Sequence, residues 1–180
     1  MFQHAIVRQP SKNLAKGITT ASLGKVDYKI AMKQHEAYVY ALQNCGLEVR
    51  VLDPLEDFPD AVFIEDVCLC TPHCAIITRP GAKSRRGETD SFANILSDYY
   101  KNLHSITAAG TVEAGDIMMV GNHYYIGLSN RTNQIGAQQI IQILEQYGMK
   151  GTIVTIGEVL HLKTAVSYLE NNCLLLAESM

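Results

Sequence analysis

The sequence predicts an α/β protein assembled from a repeated strand-strand-helix-strand module. Two observations carry that prediction. The run Asp66-Val67-Cys68-Leu69-Cys70 recurs fifty positions on as Asp116-Ile117-Met118-Met119-Val120, and a third copy, Ala165 to Leu169, lies forty-nine positions further. A fixed period of this kind marks a repeat architecture. Each copy leads through a short polar turn into a second apolar run (Ala75-Ile76-Ile77, Tyr125-Ile126-Gly127 and Cys173 to Leu176), the pattern of a β-hairpin.

Taken in order, residues 3–8 read as a strand resembling the second strand of a module. Tyr28, Ala31, Tyr38 and Leu42 then mark one face of a helix, and Glu48 to Leu52 a strand. After the first hairpin, Phe92, Ile95, Leu96 and Tyr99 fall at i, i+3, i+4 and i+7, followed by a strand at Ser105 to Thr107. After the second, Ala137, Ile140, Ile141, Leu144 and Tyr147 repeat that stripe with Gly148 as C-terminal cap, and Thr152 to Ile156 is the next strand. The N-terminal module lacks its first strand, and the chain stops at Met180 after two strands of the fourth. A closed ring would complete the first module with a strand from the far C-terminus, so the expected ring is open as written. Its bare strand edges and apolar helix face favour self-association into a homo-oligomer. A compact three-layer α/β fold that closes without further chain is the alternative.

The 180 residues are 47% hydrophobic and 18% charged with a formal charge of −3, which suits one globular domain over residues 1–180. A pI near 6.0 gives no basic footprint for nucleic acid. No run of eighteen apolar residues spans a membrane, and residues 1–17 lack the apolar core of an export signal, so the expected location is the cytoplasm. Five cysteines, an odd number, fit reduced thiols there.

Glu113 and His161 precede the third and fourth hairpins at nearly the same station of successive modules, where a ring would turn both toward its axis. An acidic group (Asp60, Glu65, Asp66) and a basic group (Arg79, Lys83, Arg85, Arg86, and separately Arg131) are either solvated surface pairs or a pocket for a zwitterion carrying an extra cation. Cys68-x-Cys70-x-x-His73-Cys74 has the look of a metal site. Closed zinc sites need a second ligand pair, however, and none stands out, so these thiols read as structural and no metal is expected. Phosphate-binding glycine loops and a G-x-S-x-G elbow are missing from the sequence.

Three separated segments then resemble one family: Ile76 to Ala82 with Ser84 to Glu88, Gly110 to Asp116, and Leu160 to Thr164. They are similar to the bacterial-type dimethylarginine dimethylaminohydrolases of the guanidine-modifying (pentein) superfamily. That resemblance implies a pentein-type α/β propeller, incomplete here at roughly three and a half of five units. It implies hydrolysis of dimethylarginine or monomethylarginine to citrulline and dimethylamine or methylamine, with no metal or organic cofactor and a small guanidine substrate as the partner. His161 matches the catalytic histidine and Glu113 the carboxylate beside it. Asp66 with Glu65 matches the acids around the guanidinium, and Asp60, Arg85, Arg131 and the backbone at Ile18 match the amino-acid end. The family's nucleophile is a cysteine near the C-terminus, and Cys45, Cys68, Cys70, Cys74 and Cys173 do not occupy its position. The expectation is therefore a chain ending before that strand and inactive alone. An arginine deiminase-like hydrolase and a non-catalytic methylarginine-binding pseudoenzyme are the alternatives.

Overall fold

The computed structural model describes residues 2–22 and 24–177; Met180 lies outside the described residues. The chain packs as two units, residues 1–64 and 65–180. In the first, β1 (His4–Arg8) pairs in parallel with β2 (Glu48–Leu52). Parallel neighbours need a crossover, and α1 (Tyr28–Asn44) supplies it. The Asp27 carboxylate starts α1 by accepting the N–H groups of Lys29 and Ile30 at 2.8 and 3.1 Å. The less exposed face of α1 runs Tyr28, Ala31, Met32, His35, Val39 and Leu42, the three-and-four spacing of one helix stripe. Tyr38, expected on that face, keeps the helical spacing but lies at the edge of the stripe and is 56% exposed.

The second unit contains the module twice in full. β3 (Cys68–Cys70) pairs antiparallel with β4 (Ala75–Ile77), which runs parallel to β5 (Leu103–Ser105) after a connection holding α2 (Phe92–Leu96). β6 (Ile117–Val120), β7 (His123–Leu128), α3 (Gln134–Glu145) and β8 (Lys150–Thr155) repeat that topology. A third hairpin follows α4 (Leu162–Ala165), joining β9 (Val166–Tyr168) antiparallel to β10 (Leu174–Leu176). The described strands form four separate sheets, two of three strands and two of two.

Several boundaries differ from expectation for local reasons. Asp66 and Asp116 do not open strands. They belong to 3-10 turns, Ile64–Val67 and Ala114–Asp116, whose last residues feed β3 and β6. α2 ends at Leu96, and the chain goes on through a turn in which the Leu96 carbonyl accepts the N–H groups of both Tyr99 and Tyr100. Tyr99 therefore falls outside the helix, and β5 begins two residues before the expected Ser105. Gly148 follows α3 as anticipated, at φ +71°, a conformation that costs a side-chain-bearing residue.

One apolar core holds the two full modules together. Leu69, Cys74 and Ile76 from the first pack with Ile117, Tyr124 and Ile126 of the second and with Ala137, Ile140 and Leu144 of α3. Each fully buried Ile or Leu contributes about 1.5–3 kcal/mol. β6 alternates between two cores, since Ile117 enters this one and Met118 joins Leu162 and Val166 in a smaller cluster. β10 buries nothing: Leu174, Leu175 and Leu176 are all exposed. No helix among the described residues is long and apolar enough to cross a membrane.

Candidate active site

Each hairpin of the second unit is introduced by a single helical turn: Ile64–Val67, Ala114–Asp116 and α4. Glu113 and His161 are the residues immediately before the last two turns, both in extended backbone, so the shared station read from the repeat is real. His161 is anchored through its main chain. Its N–H donates to Thr164 Oγ1 at 3.3 Å, and its carbonyl accepts the Thr164 hydroxyl at 2.7 Å. Gly81 and Ala82 aim their N–H groups at Glu113 Oε1, at 3.1 and 3.5 Å.

The side chains converge on the His161 imidazole. Its Nε2 stands 3.6 Å from Glu113 Oε2 and 3.7 Å from Asp66 Oδ1. On the other edge Nδ1 stands 3.3 Å from Asp116 Oδ1, close enough for charge pairing but off the line of a hydrogen bond. All four residues are buried; Glu113 is 1% exposed and Asp116 not at all. The other Asp116 oxygen, Oδ2, accepts the hydroxyls of Ser129 (2.6 Å) and Thr132 (2.7 Å), while Oδ1 also accepts the Leu162 N–H (3.1 Å). Arg85 closes the cluster. Its Nη1 donates to Asp66 Oδ2 at 2.7 Å and lies 3.7 Å from Glu113 Oε2, while Nε and Nη2 engage Glu88 at about 3 Å. Arg131 Nη1 is 3.7 Å from Glu113 Oε1.

Four buried carboxylates thus face two guanidiniums and one imidazole, leaving the cluster short of positive charge. The titration of its members follows. Burial alone would lower the His161 pKa, but Asp116 at Nδ1 and the charges of Asp66 and Glu113 outweigh it and raise the value above 6.5. Burial pushes the Asp116 carboxyl up, but His161, Ser129 and Thr132 bring it below 3.8. Desolvation opposes charge on Arg85, and Glu88 with Asp66 more than restore it. One ligand atom each from Asp66, Glu113 and His161 lies within 4.8 Å of the others, so the trio could hold a cation. No cysteine belongs to that cluster among the described residues.

Of the residues singled out in the sequence, Asp66, Arg85, Glu113, Arg131 and His161 come together. Glu65 does not join them; it is exposed and pairs with Lys163 Nζ at 2.6 Å. Asp60 and Ile18 pair with each other in the first unit, the Ile18 N–H donating to both Asp60 carboxylate oxygens at 3.0 and 3.2 Å. Arg79, Arg86 and Lys83 serve elsewhere: Arg79 bonds the Gly110 carbonyl, Arg86 the Pro80 carbonyl, and Lys83 is exposed. Sequence reasoning missed Asp116, Glu88 and Gly115. A Cβ on Gly115 would stand 2.8 Å from Asp66 Oδ1 and 2.9 Å from the His161 ring, so only glycine admits both side chains. The fifty-residue correspondence of Asp116 with Asp66 was the available signal for the first of these.

The sequence and fold have counterparts among known proteins. The family model described as N,N dimethylarginine dimethylhydrolase, eukaryotic, matches residues 14–180. An N(G),N(G)-dimethylarginine dimethylaminohydrolase of Pseudomonas aeruginosa is 54% identical over 178 residues, which is 98% of this chain and 70% of that protein. The Streptomyces coelicolor protein of that name is 40% identical over 166 residues, 92% of this chain and 64% of its own length. The solved Pseudomonas aeruginosa structure, a cysteine-to-serine mutant complexed with citrulline, superposes with a TM-score of 0.96 at 54% identity, covering 98% of this chain and 69% of that one. The N-terminal domain of a cyanobacterial arginine dihydrolase shares the fold at 19% identity, with a TM-score of 0.82 over 95% of this chain and 65% of that one.

Proposed function

The chain belongs to the dimethylarginine dimethylaminohydrolase family, and from that premise we propose that its buried carboxylate–histidine cluster receives the guanidinium of a methylated arginine. The observation that carries the reading is the approach of two carboxylates, Glu113 and Asp66, to the same His161 nitrogen within a cluster short of positive charge. A planar cation supplies what the cluster lacks. In the relatives, a citrulline complex and a histidine-to-glycine variant bearing an S-methyl-L-thiocitrulline adduct support the same assignment.

Glu113 holds the guanidinium and favours the tetrahedral intermediate formed when a thiolate adds to the guanidinium carbon. His161 carries a proton on Nε2 toward the departing amine, then takes one from the water that hydrolyses the thiouronium adduct. Asp116 keeps the imidazole oriented and charged from behind, and Arg85 fixes the Asp66 carboxylate. The nitrogens of Arg85 are already engaged with Glu88 and Asp66. Arg131 is therefore the better placed of the two to meet a substrate carboxylate. The modules are read as blades of a pentein-type propeller, with Glu113 and His161 on successive blades.

With every cysteine outside the cluster, residues 1–180 by themselves bind the substrate without turning it over. Calorimetry with dimethylarginine is expected to show saturable binding, weakened at least tenfold in Glu113→Gln. Absence of binding sinks the proposal, and citrulline release at ordinary enzymatic rates sinks the assignment of the cysteines. Competition between dimethylarginine and arginine distinguishes this reading from a deiminase-like one, which would favour the unmethylated substrate.

A further inference from the structure

β3 carries Cys68 and Cys70 two residues apart, hence on one face, and their sulfurs lie 3.8 Å from each other. Same-face positions repeat every ~6.6–6.8 Å along a strand, whereas a disulfide needs Cβ atoms only about 3.5–4.5 Å apart. An extended β3 therefore keeps this pair as a dithiol. The sulfur separation fits a different partner, because two thiolates bound at about 2.3 Å to a tetrahedral ion stand about 3.8 Å apart.

We propose that Cys68 and Cys70 form a two-sulfur binding site for a thiophilic divalent d10 cation of the zinc–cadmium class. The remaining positions are left to water. Cys74 is not a member: it is buried in the core with Leu69 and Ile76, and its sulfur lies 3.4 Å from Thr71 Oγ1. His73 is turned to Tyr147, against whose ring it stacks at 6.4 Å.

Binding forms two metal–sulfur bonds and releases the thiol protons to solvent, with no change of oxidation state.

Cadmium(II) titrated into the full chain tests this through the sulfur-to-metal charge-transfer band, which the oxygen and nitrogen donors of the Asp66–Glu113–His161 cluster cannot produce. One equivalent is expected to saturate the band, with affinity at least tenfold weaker in Cys68→Ser and in Cys70→Ser and unchanged in Cys173→Ser. Independently of any variant, one equivalent should slow alkylation of Cys68 and Cys70 at least tenfold, read peptide by peptide, while Cys45 and Cys173 label at their original rates. Lack of a saturable band, an affinity unweakened by either serine substitution, or alkylation of the pair unslowed by cadmium would each overturn the site.

Discussion

Gly115→Ala places one methyl group between the two side chains that the site most needs. The added carbon would meet Asp66 Oδ1 at 2.8 Å and the His161 ring at 2.9 and 3.0 Å. Ordinary contact begins near 3.4 Å. Both neighbours must therefore retreat by about half an ångström, the scale of overpacking that typically costs 1–3 kcal/mol. The Gly115 N–H bond to Asp66 Oδ1, already 3.2 Å, is stretched past useful length, adding about 1 kcal/mol. Urea denaturation is expected to show a loss of about 2–4 kcal/mol. Calorimetry should show dimethylarginine binding weakened at least tenfold, or about 1.4 kcal/mol. Gly148→Ala is the control. It has φ +71° and nothing within 4 Å, so it costs about 1–2 kcal/mol through backbone conformation alone and leaves binding intact. A Gly115→Ala protein as stable as the parent, or a Gly148→Ala protein equally impaired in binding, would refute the steric reasoning.

Arg85→Met strands Asp66, Glu88 and Glu113 without their shared cation, and chemical denaturation should register a loss of about 3–5 kcal/mol. Because the folded-state pKa of His161 is raised, the stability it contributes is complete below pH 6.5 and disappears as pH rises through that raised value. Asp116→Asn removes the main charge behind the ring, so unfolding free energy measured from pH 5.5 to 8.5 should vary less with pH in the variant than in the parent. Asp116 itself, depressed below 3.8, contributes stability that is present above that pH and is lost as acid carries the protein through its folded value. Ile140→Ala empties a wholly buried position of α3, and thermal and urea melts should report about 2–5 kcal/mol lost.

How far the sequence spoke depended on the range of the interactions that decide each element. β2 and β4 were readable because apolar runs bounded by polar residues are sufficient for a strand, and α3 because its stripe and Gly148 agree. α2 failed at its end, where the helix gives way to a turn after Leu96 although the apolar spacing continues to Tyr99. Tyr38 fits the helical spacing, seven after Ala31 and four before Leu42, but spacing does not say how far the packed face extends, and Tyr38 lies at its exposed edge. At the site, Glu113 and His161 were legible through their common station. Asp116 was not, because a lone acid before an apolar run reads as a cap. Its hydrogen bonds come from Ser129 and Thr132, in the turn that follows β7. Gly115 was invisible for a related reason, since its need for no side chain exists only once Asp66, forty-nine residues away, has come to rest against it.

Asp116 also grips the Leu162 amide, so the residue that charges the imidazole is the one that seats the helical turn bearing it. Orientation and basicity of His161 are thereby yoked in one lever. Any attempt to retune the proton affinity of this histidine by altering Asp116 will also swing the ring.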